Sequence, residues 1–247
     1  MNAHRPPVVL VTGAARRIGA AIARTLHAAG CDLALHYRHS AAAMQALCGE
    51  LEARRAGSTL ALQADLADPD AAQALVTATL ARFARLDGVV NNAASYRATP
   101  LAEADADAWD ALMAANARAP FLLCRAAADA LRDSHGAIVN ITDYYADHPR
   151  PDYIPYAAGK AALVAVTRGL AGALAPDVRV NAVAPGAIAW PEDGLDDNDK
   201  RAVLEATPLA RAGNPADIAD TVRWLLHEAH YVTGQVIHVD GGRTLGR

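Results

Sequence analysis

The chain predicts an α/β fold built on a doubly wound parallel sheet, and three observations carry that expectation. Short runs such as Val8–Val11 and Ala137–Ile141 are almost wholly apolar, as strands buried on both faces must be. These runs alternate with Ala-rich helical patterns from one end of the chain to the other, which is the signature of strand–helix–strand units. A glycine-bearing turn, Thr12 to Gly19, joins the first strand to the first helix. The reading is one domain, residues 1–247, with about seven strands and helices on both faces.

Bulk properties narrow the function. A chain of 247 residues suits a single large α/β core. A net charge of −4 gives no global basic field for nucleic acid. No apolar run is expected to reach membrane-spanning length, and Met1 to Pro7 lacks the apolar core of a secretion signal. Cys31, Cys48 and Cys124 are widely separated and form no C-x-x-C pair. That fits a reducing cytosol better than a disulfide framework or a metal site. The expectation is a cytoplasmic protein with no metal, membrane or nucleic-acid partner.

In chain order, Val8–Val11 is a central strand and Ala20–Ala29 the first helix. The turn between them lets backbone N–H groups approach a pyrophosphate at a helix N-terminus. Asp32–Tyr37 is the second strand. An acid at its end would bind a ribose 2′-hydroxyl. Here the chain reads His36-Tyr37-Arg38-His39-Ser40, with no carboxylate and three side chains that can be cationic. An arginine and a hydroxyl suit a 2′-phosphate, so the expected cofactor is NADP(H). Helix Ala41–Arg55, strand Thr59–Gln63 and helix Pro69–Ala84 follow, with Pro69 suited to a first turn.

Strand Asp87–Val90 runs into Asn91-Asn92-Ala93-Ala94-Ser95-Tyr96. Tyr96 either presents an aromatic face to a substrate or is a surface tyrosine. Asp105–Leu131 reads as one long helix kinked at Pro120. Strand Gly136–Ile141 is followed by a helix from about Tyr153 to about Leu174, then by strand Val178–Val183. Ala189–Lys200 is acidic and turn-rich and reads as part of a substrate loop spanning 187–213, in which Trp190 either caps the pocket or is structural. Pro215–Glu228 is a helix, and Gly234–Gly242 supplies the last strand and a closing loop.

The chemistry concentrates between Asp143 and Lys160. Tyr156 and Lys160 are four apart, so a helix puts both on one face. An ammonium beside a phenol favours phenolate and makes tyrosine a usable acid near neutral pH. Asp143 stands at the tip of a buried strand, where parallel sheets bind ligands.

From Val8 to Gly242 the chain resembles the short-chain dehydrogenase/reductase family. The matching features are the Thr12–Gly19 turn, the Asn91–Ala94 turn, the Tyr156/Lys160 pair, Pro185-Gly186, and the Gly234–Gly242 closure. The resemblance implies a cofactor site of Gly13, Arg17, Ile18, Gly19, Tyr37, Arg38, His39, Ser40, Asp65, Leu66, Asn92, Ala93, Tyr156, Lys160, Pro185 and Gly186. Asp65 would meet adenine, and Asn116 would hold a water linking Lys160 to solvent. It also implies a homotetramer paired through the Ala-rich helices at 111–130 and 157–175.

The chain departs from the family pattern at three places. Arg17 replaces a turn glycine, a basic H-Y-x-x-S segment follows the second strand, and Asp143 stands where the family has serine, thirteen residues before Tyr156. Together these resemble the pteridine reductases. That resemblance implies reduction of dihydropterins, and of dihydrofolate or oxidised pterins, with a substrate site of Arg17, Ser95, Tyr96, Asp143, Tyr156 and Trp190. Two other readings compete. One is a carbonyl reductase acting on a 3-oxoacyl thioester or sugar ketone, which an anionic Asp143 disfavours because it would repel a developing alkoxide. The other is a catalytically silent NADP-binding sensor or scaffold, which the intact Tyr156 and Lys160 disfavour.

Overall fold

The computed structural model describes residues 5–189 and 196–246. Seven parallel strands form one sheet in the order β3-β2-β1-β4-β5-β6-β7. They are β1 (Val8–Val11), β2 (Asp32–Tyr37), β3 (Thr59–Gln63), β4 (Gly88–Asn91), β5 (Ala137–Ile141), β6 (Arg179–Pro185) and β7 (Val236–Val239). The strand order reverses between β1 and β4, which places the main crevice at their C-terminal ends.

Helices cover both faces. On one side α1 (Arg17–Ala28), α2 (Ala41–Arg54) and α8 (Pro215–His227) pack a core with Val9, Leu33, Leu35 and Val139. On the other, α3 (Ala71–Phe83), α5 (Ala119–Ser134) and α6 (Ile154–Leu174) pack with Leu10, Ala34, Val89 and Ile138. Successive strand residues thus feed opposite cores, which is why the central strands are mostly apolar on both faces.

Three expectations are corrected. The first is the long helix at 105–131. It is α4 (Ala106–Met113), a π-helical turn over Ala114–Arg118, and then α5. Pro120 falls in the first turn of α5, where its missing N–H costs little. The change in helical pitch therefore takes the place of a mid-helix break.

The second is the acidic stretch, part of which is helical. Asp196 caps α7 (Asp197–Glu205) by accepting from Asn198 N at 2.9 Å and Asp199 N at 2.8 Å. Acidic residues in that first turn favour the helix through its dipole.

The third concerns membrane-spanning length. Pro151–Leu174 does contain a stretch long and apolar enough to cross a membrane. In the fold it is the helix α6 with its approach, packed on β6 and α5, so its apolar character serves the core.

Candidate active site

The turn after β1 is built for close backbone approach. Gly13 has φ +61°, and a Cβ there would stand 2.9 Å from Ala93 Cα. A Cβ on Gly19 would stand 2.1 Å from Gly13 O. Glycine at both positions lets β1, the turn and α1 come together. α1 starts at Arg17 with neither a side-chain cap nor an acid in its first turn, so its N-terminal N–H groups and positive dipole end suit a phosphate. A cradle that a Cβ would fill, beside Arg38, His39 and Ser40, fits a phosphorylated dinucleotide.

Several predicted cofactor residues turn out to build this cradle. Asn92 spends its side-chain amide on Thr12 O (2.9 Å) and Gly13 O (3.0 Å). Thr12 Oγ1 accepts from Asn92 N and Ala93 N, both at 3.0 Å. Gly186 lies where a Cβ would meet Asp240 Cα at 2.6 Å, so Pro185-Gly186 lets β6 pass the loop after β7. Tyr37 and Leu66 pack half-buried against the two cores, and Ile18 packs on the first of them. Arg38 and Asp65 pair at 2.8 Å on the rim. His36 belongs elsewhere than the sequence reading put it. It is 2 % exposed, Gly13 N donates to its Nδ1 at 3.2 Å, and its Nε2 lies 3.1 Å from Ala64 O. Burial lowers its pKa, so it is a neutral core residue and not one of three cations.

Arg17 has φ 50°, a left-handed conformation that favours glycine, the residue the family pattern carries here. Its Nη2 donates to Ala189 O at 3.2 Å and Ile188 O at 3.4 Å, bridging the first turn to the segment after β6. The described ends of the predicted substrate loop are clasped together: Gly213 N donates to Ala187 O (2.9 Å) and Ala189 N to Gly213 O (3.0 Å). Trp190 lies outside the described residues.

At the tip of β5, Tyr156 Oη donates to Asp143 Oδ2 at 2.7 Å, and Asp143 Oδ1 accepts from Tyr145 N at 2.8 Å. Lys160 Nζ donates to Ile141 O at 2.8 Å and stands 5.8 Å from the Tyr156 ring. Tyr156 and Lys160 are 3 % and 2 % exposed. The expected lowering of the Tyr156 pKa is reversed here. Burial, then the neighbouring Asp143 charge and hydrogen bond, hold the phenol well above its usual value. Burial also raises the Asp143 pKa and pushes Lys160 down to about 8. A shared environment that disfavours every charge keeps the phenol protonated and draws the carboxyl toward its neutral form.

Asn116 lies in the π turn. Its Nδ2 donates to Ser95 O (2.9 Å) and Leu112 O (3.0 Å), and its buried Oδ1 finds no protein donor among the described residues. Tyr96 is 53 % exposed, stacked on Tyr153 with ring centres 4.9 Å apart and edge-on to Tyr156 at 4.9 Å. Sequence reasoning missed its companions. Tyr145 lies 5.8 Å from Tyr153, Arg150 covers the Tyr153 ring at 5.4 Å, and Arg243 covers Tyr144 at 4.6 Å. The signal was present in four tyrosines between 144 and 156, but only folding shows that the loop and the Tyr96 segment meet.

A family model described as enoyl-(acyl carrier protein) reductase matches residues 13–244. The chain belongs to the short-chain dehydrogenase/reductase family. A 3-oxoacyl-[acyl-carrier-protein] reductase from Synechocystis is 37 % identical over 99 % of this chain and 100 % of its own. A pteridine reductase 1 from Leishmania tarentolae is 35 % identical over 98 % of this chain and 97 % of its own. The crystal structure of a blue fluorescent protein from a metagenomic library, in complex with NADPH, superposes with a TM-score of 0.91. It is 37 % identical and covers 97 % of this chain and 98 % of its own.

These relatives correct the expected substrate. The pteridine reading rested on Arg17, the basic segment and Asp143, yet the greater likeness is to a 3-oxoacyl reductase. Burial resists ionisation of Asp143, while its hydrogen bonds and the Lys160 charge favour it.

Proposed function

We propose that the chain is an NADPH-dependent carbonyl reductase acting on a 3-oxoacyl thioester. The observation that carries this reading is the 2.7 Å contact between Tyr156 Oη and Asp143 Oδ2, beside Lys160, at the sheet's C-terminal edge. Family membership and the 3-oxoacyl reductase relative support it.

The cofactor is NADP(H), which supplies the hydride when bound. Gly13, Arg17, Ile18 and Gly19 would cradle the pyrophosphate. Arg38, His39 and Ser40 would take the 2′-phosphate, and Asp65, Leu66, Asn92, Ala93, Pro185 and Gly186 would line the remaining wall. Tyr156 donates its proton to the carbonyl oxygen as negative charge develops there. In its protonated form Asp143 would donate a second hydrogen bond to the same oxygen, the role that serine fills in the family pattern. A buried carboxylic acid kept neutral can do this where a carboxylate cannot. Lys160 would bind the nicotinamide ribose, and the orphaned Asn116 Oδ1 suits a water that returns protons toward Lys160. Ser95, Tyr96 and the segment 187–213 would enclose the substrate. The Ala-rich faces of α5 and α6, with Phe121 exposed on α5, would pair subunits into a tetramer.

The test is to supply NADPH with acetoacetyl thioester or a panel of ketoses. The expected result is one 3-hydroxyacyl thioester per NADPH oxidised. Turnover of ketoses alone would overturn the thioester assignment, and failure to consume any carbonyl would overturn the reaction class.

A further inference from the structure

His36 is a buried polar side chain that the proposed reaction leaves without a role. It follows Leu35, which pairs with Val11 across β1 and β2, so it stands beside the turn that begins at Thr12. Two successive N–H groups of that turn end on this one residue: Gly13 N donates to His36 Nδ1 at 3.2 Å and Ala14 N to His36 O at 2.9 Å. On the far side Nε2 lies 3.1 Å from Ala64 O, the residue before Asp65. A backbone N–H can only donate and a carbonyl can only accept. The partners therefore fix the tautomer, with Nδ1 bare and the proton on Nε2.

We infer that His36 is a positioning residue for the cofactor site: its neutral imidazole ties the Gly13 turn to the segment carrying Asp65, and protonation releases the turn. An imidazolium would set an N–H at Nδ1 against the N–H of Gly13, the residue that has φ +61° and no room for a Cβ. Gly13 cannot relax easily to find another acceptor, because Asn92 and Ala93 hold it from the opposite side. Burial opposes the charged form, while the Ala64 carbonyl and the Asp65 charge favour it. Asp65 is itself paired with Arg38. The turn residues Thr12 to Ala15 and the β4 end, Asn91 and Asn92, present no titratable group. Because the neutral form is the native one, the effect is absent at neutral pH and grows as pH falls below the ordinary histidine range.

The inference rests on the NADP(H) site proposed above. It is tested by fluorescence titration of NADPH against wild type, His36→Asn and His36→Leu. Asparagine places an oxygen near the Nδ1 position and does not titrate, so it keeps the Gly13 bond at every pH. Between about pH 7.5 and about pH 5, wild-type affinity should fall at least about twofold more than that of His36→Asn. Titration of the cofactor phosphate is common to both and cancels. At about pH 7.5, His36→Asn should bind within about threefold of wild type and His36→Leu at least about tenfold more weakly.

Parallel pH profiles for wild type and His36→Asn would overturn the inference alone, as would undiminished binding by a folded His36→Leu. Wild type that binds no NADPH at any pH would overturn the cofactor reading and this inference with it. The wild-type and asparagine profiles carry the test if the leucine variant does not fold.

Discussion

Asp143 and Tyr156 share one hydrogen bond, and the proposed reaction asks different things of them. Tyr156 must give up a proton, so Tyr156→Phe should keep NADPH binding while turnover falls by about a hundredfold or more. Fluorescence titration beside a steady-state assay checks both halves. Asp143 must stay protonated to donate. Burial raises its pKa, so the neutral form is lost at a higher pH than for an exposed carboxyl, as pH rises through the raised value. At saturating NADPH, turnover should therefore decline as pH rises through that value. Asp143→Ser should keep activity within about tenfold and flatten that decline, while Asp143→Ala loses about a hundredfold. A pH profile of kcat for the three proteins decides it. Which residues meet was legible from the sequence, because Tyr156, Lys160 and Asp143 lie on one short stretch. The direction of their titration was not. Proximity of Lys160 predicts a lowered phenol pKa, whereas burial of the whole group, visible only in the fold, raises it.

At the scale of elements, α6 carries Tyr156 and Lys160 and is held to the sheet by a buried polar chain. Asn91 Nδ2 donates to Asn140 Oδ1 at 2.8 Å, Asn140 Nδ2 to Thr167 Oγ1 at 2.9 Å, and Thr167 Oγ1 to Leu163 O at 2.8 Å. Thr167→Val leaves the Asn140 amide without its acceptor in the core and should cost about 1–3 kcal/mol of stability. Urea unfolding measures it, and an unchanged midpoint would show that the chain contributes nothing. The strands were legible to within a few residues because the central ones, buried on both faces, are mostly apolar runs between turns. β2 and β3 match their expected bounds, and α8 begins at the predicted Pro215 behind its Asn214 capping box. What escaped has a physical reason in each case. The π turn changes the hydrogen-bond pattern without changing composition. The helix α7 is stabilised by acids at its own N-terminus, which composition alone reads as a turn-rich loop.

At the scale of the whole molecule, the crevice between β1 and β4 and the Asp143–Tyr156 pair lie at the same edge of the sheet, as the strand order dictates. The alternation of strand and helix made that edge predictable. The substrate class was not, because Arg17, Asp143 and the basic segment pointed to pterins, whereas the greater likeness is to a 3-oxoacyl-[acyl-carrier-protein] reductase. Phe121 is 42 % exposed on α5, on the face proposed to pair subunits. Phe121→Arg should shift the protein to smaller species in sedimentation velocity, because a charge replaces an apolar contact. An unchanged distribution would place the interface elsewhere.

The measurement that bears most directly on the central claim is isotope transfer. NADPH carrying deuterium at the transferable C4 position is incubated with acetoacetyl thioester and the wild-type protein, and the product is analysed by mass spectrometry and NMR. Carbonyl reduction predicts a 3-hydroxyacyl thioester with one deuterium on C3, formed in step with NADP+. Deuterated cofactor left intact, or oxidised with no label on C3, would contradict it.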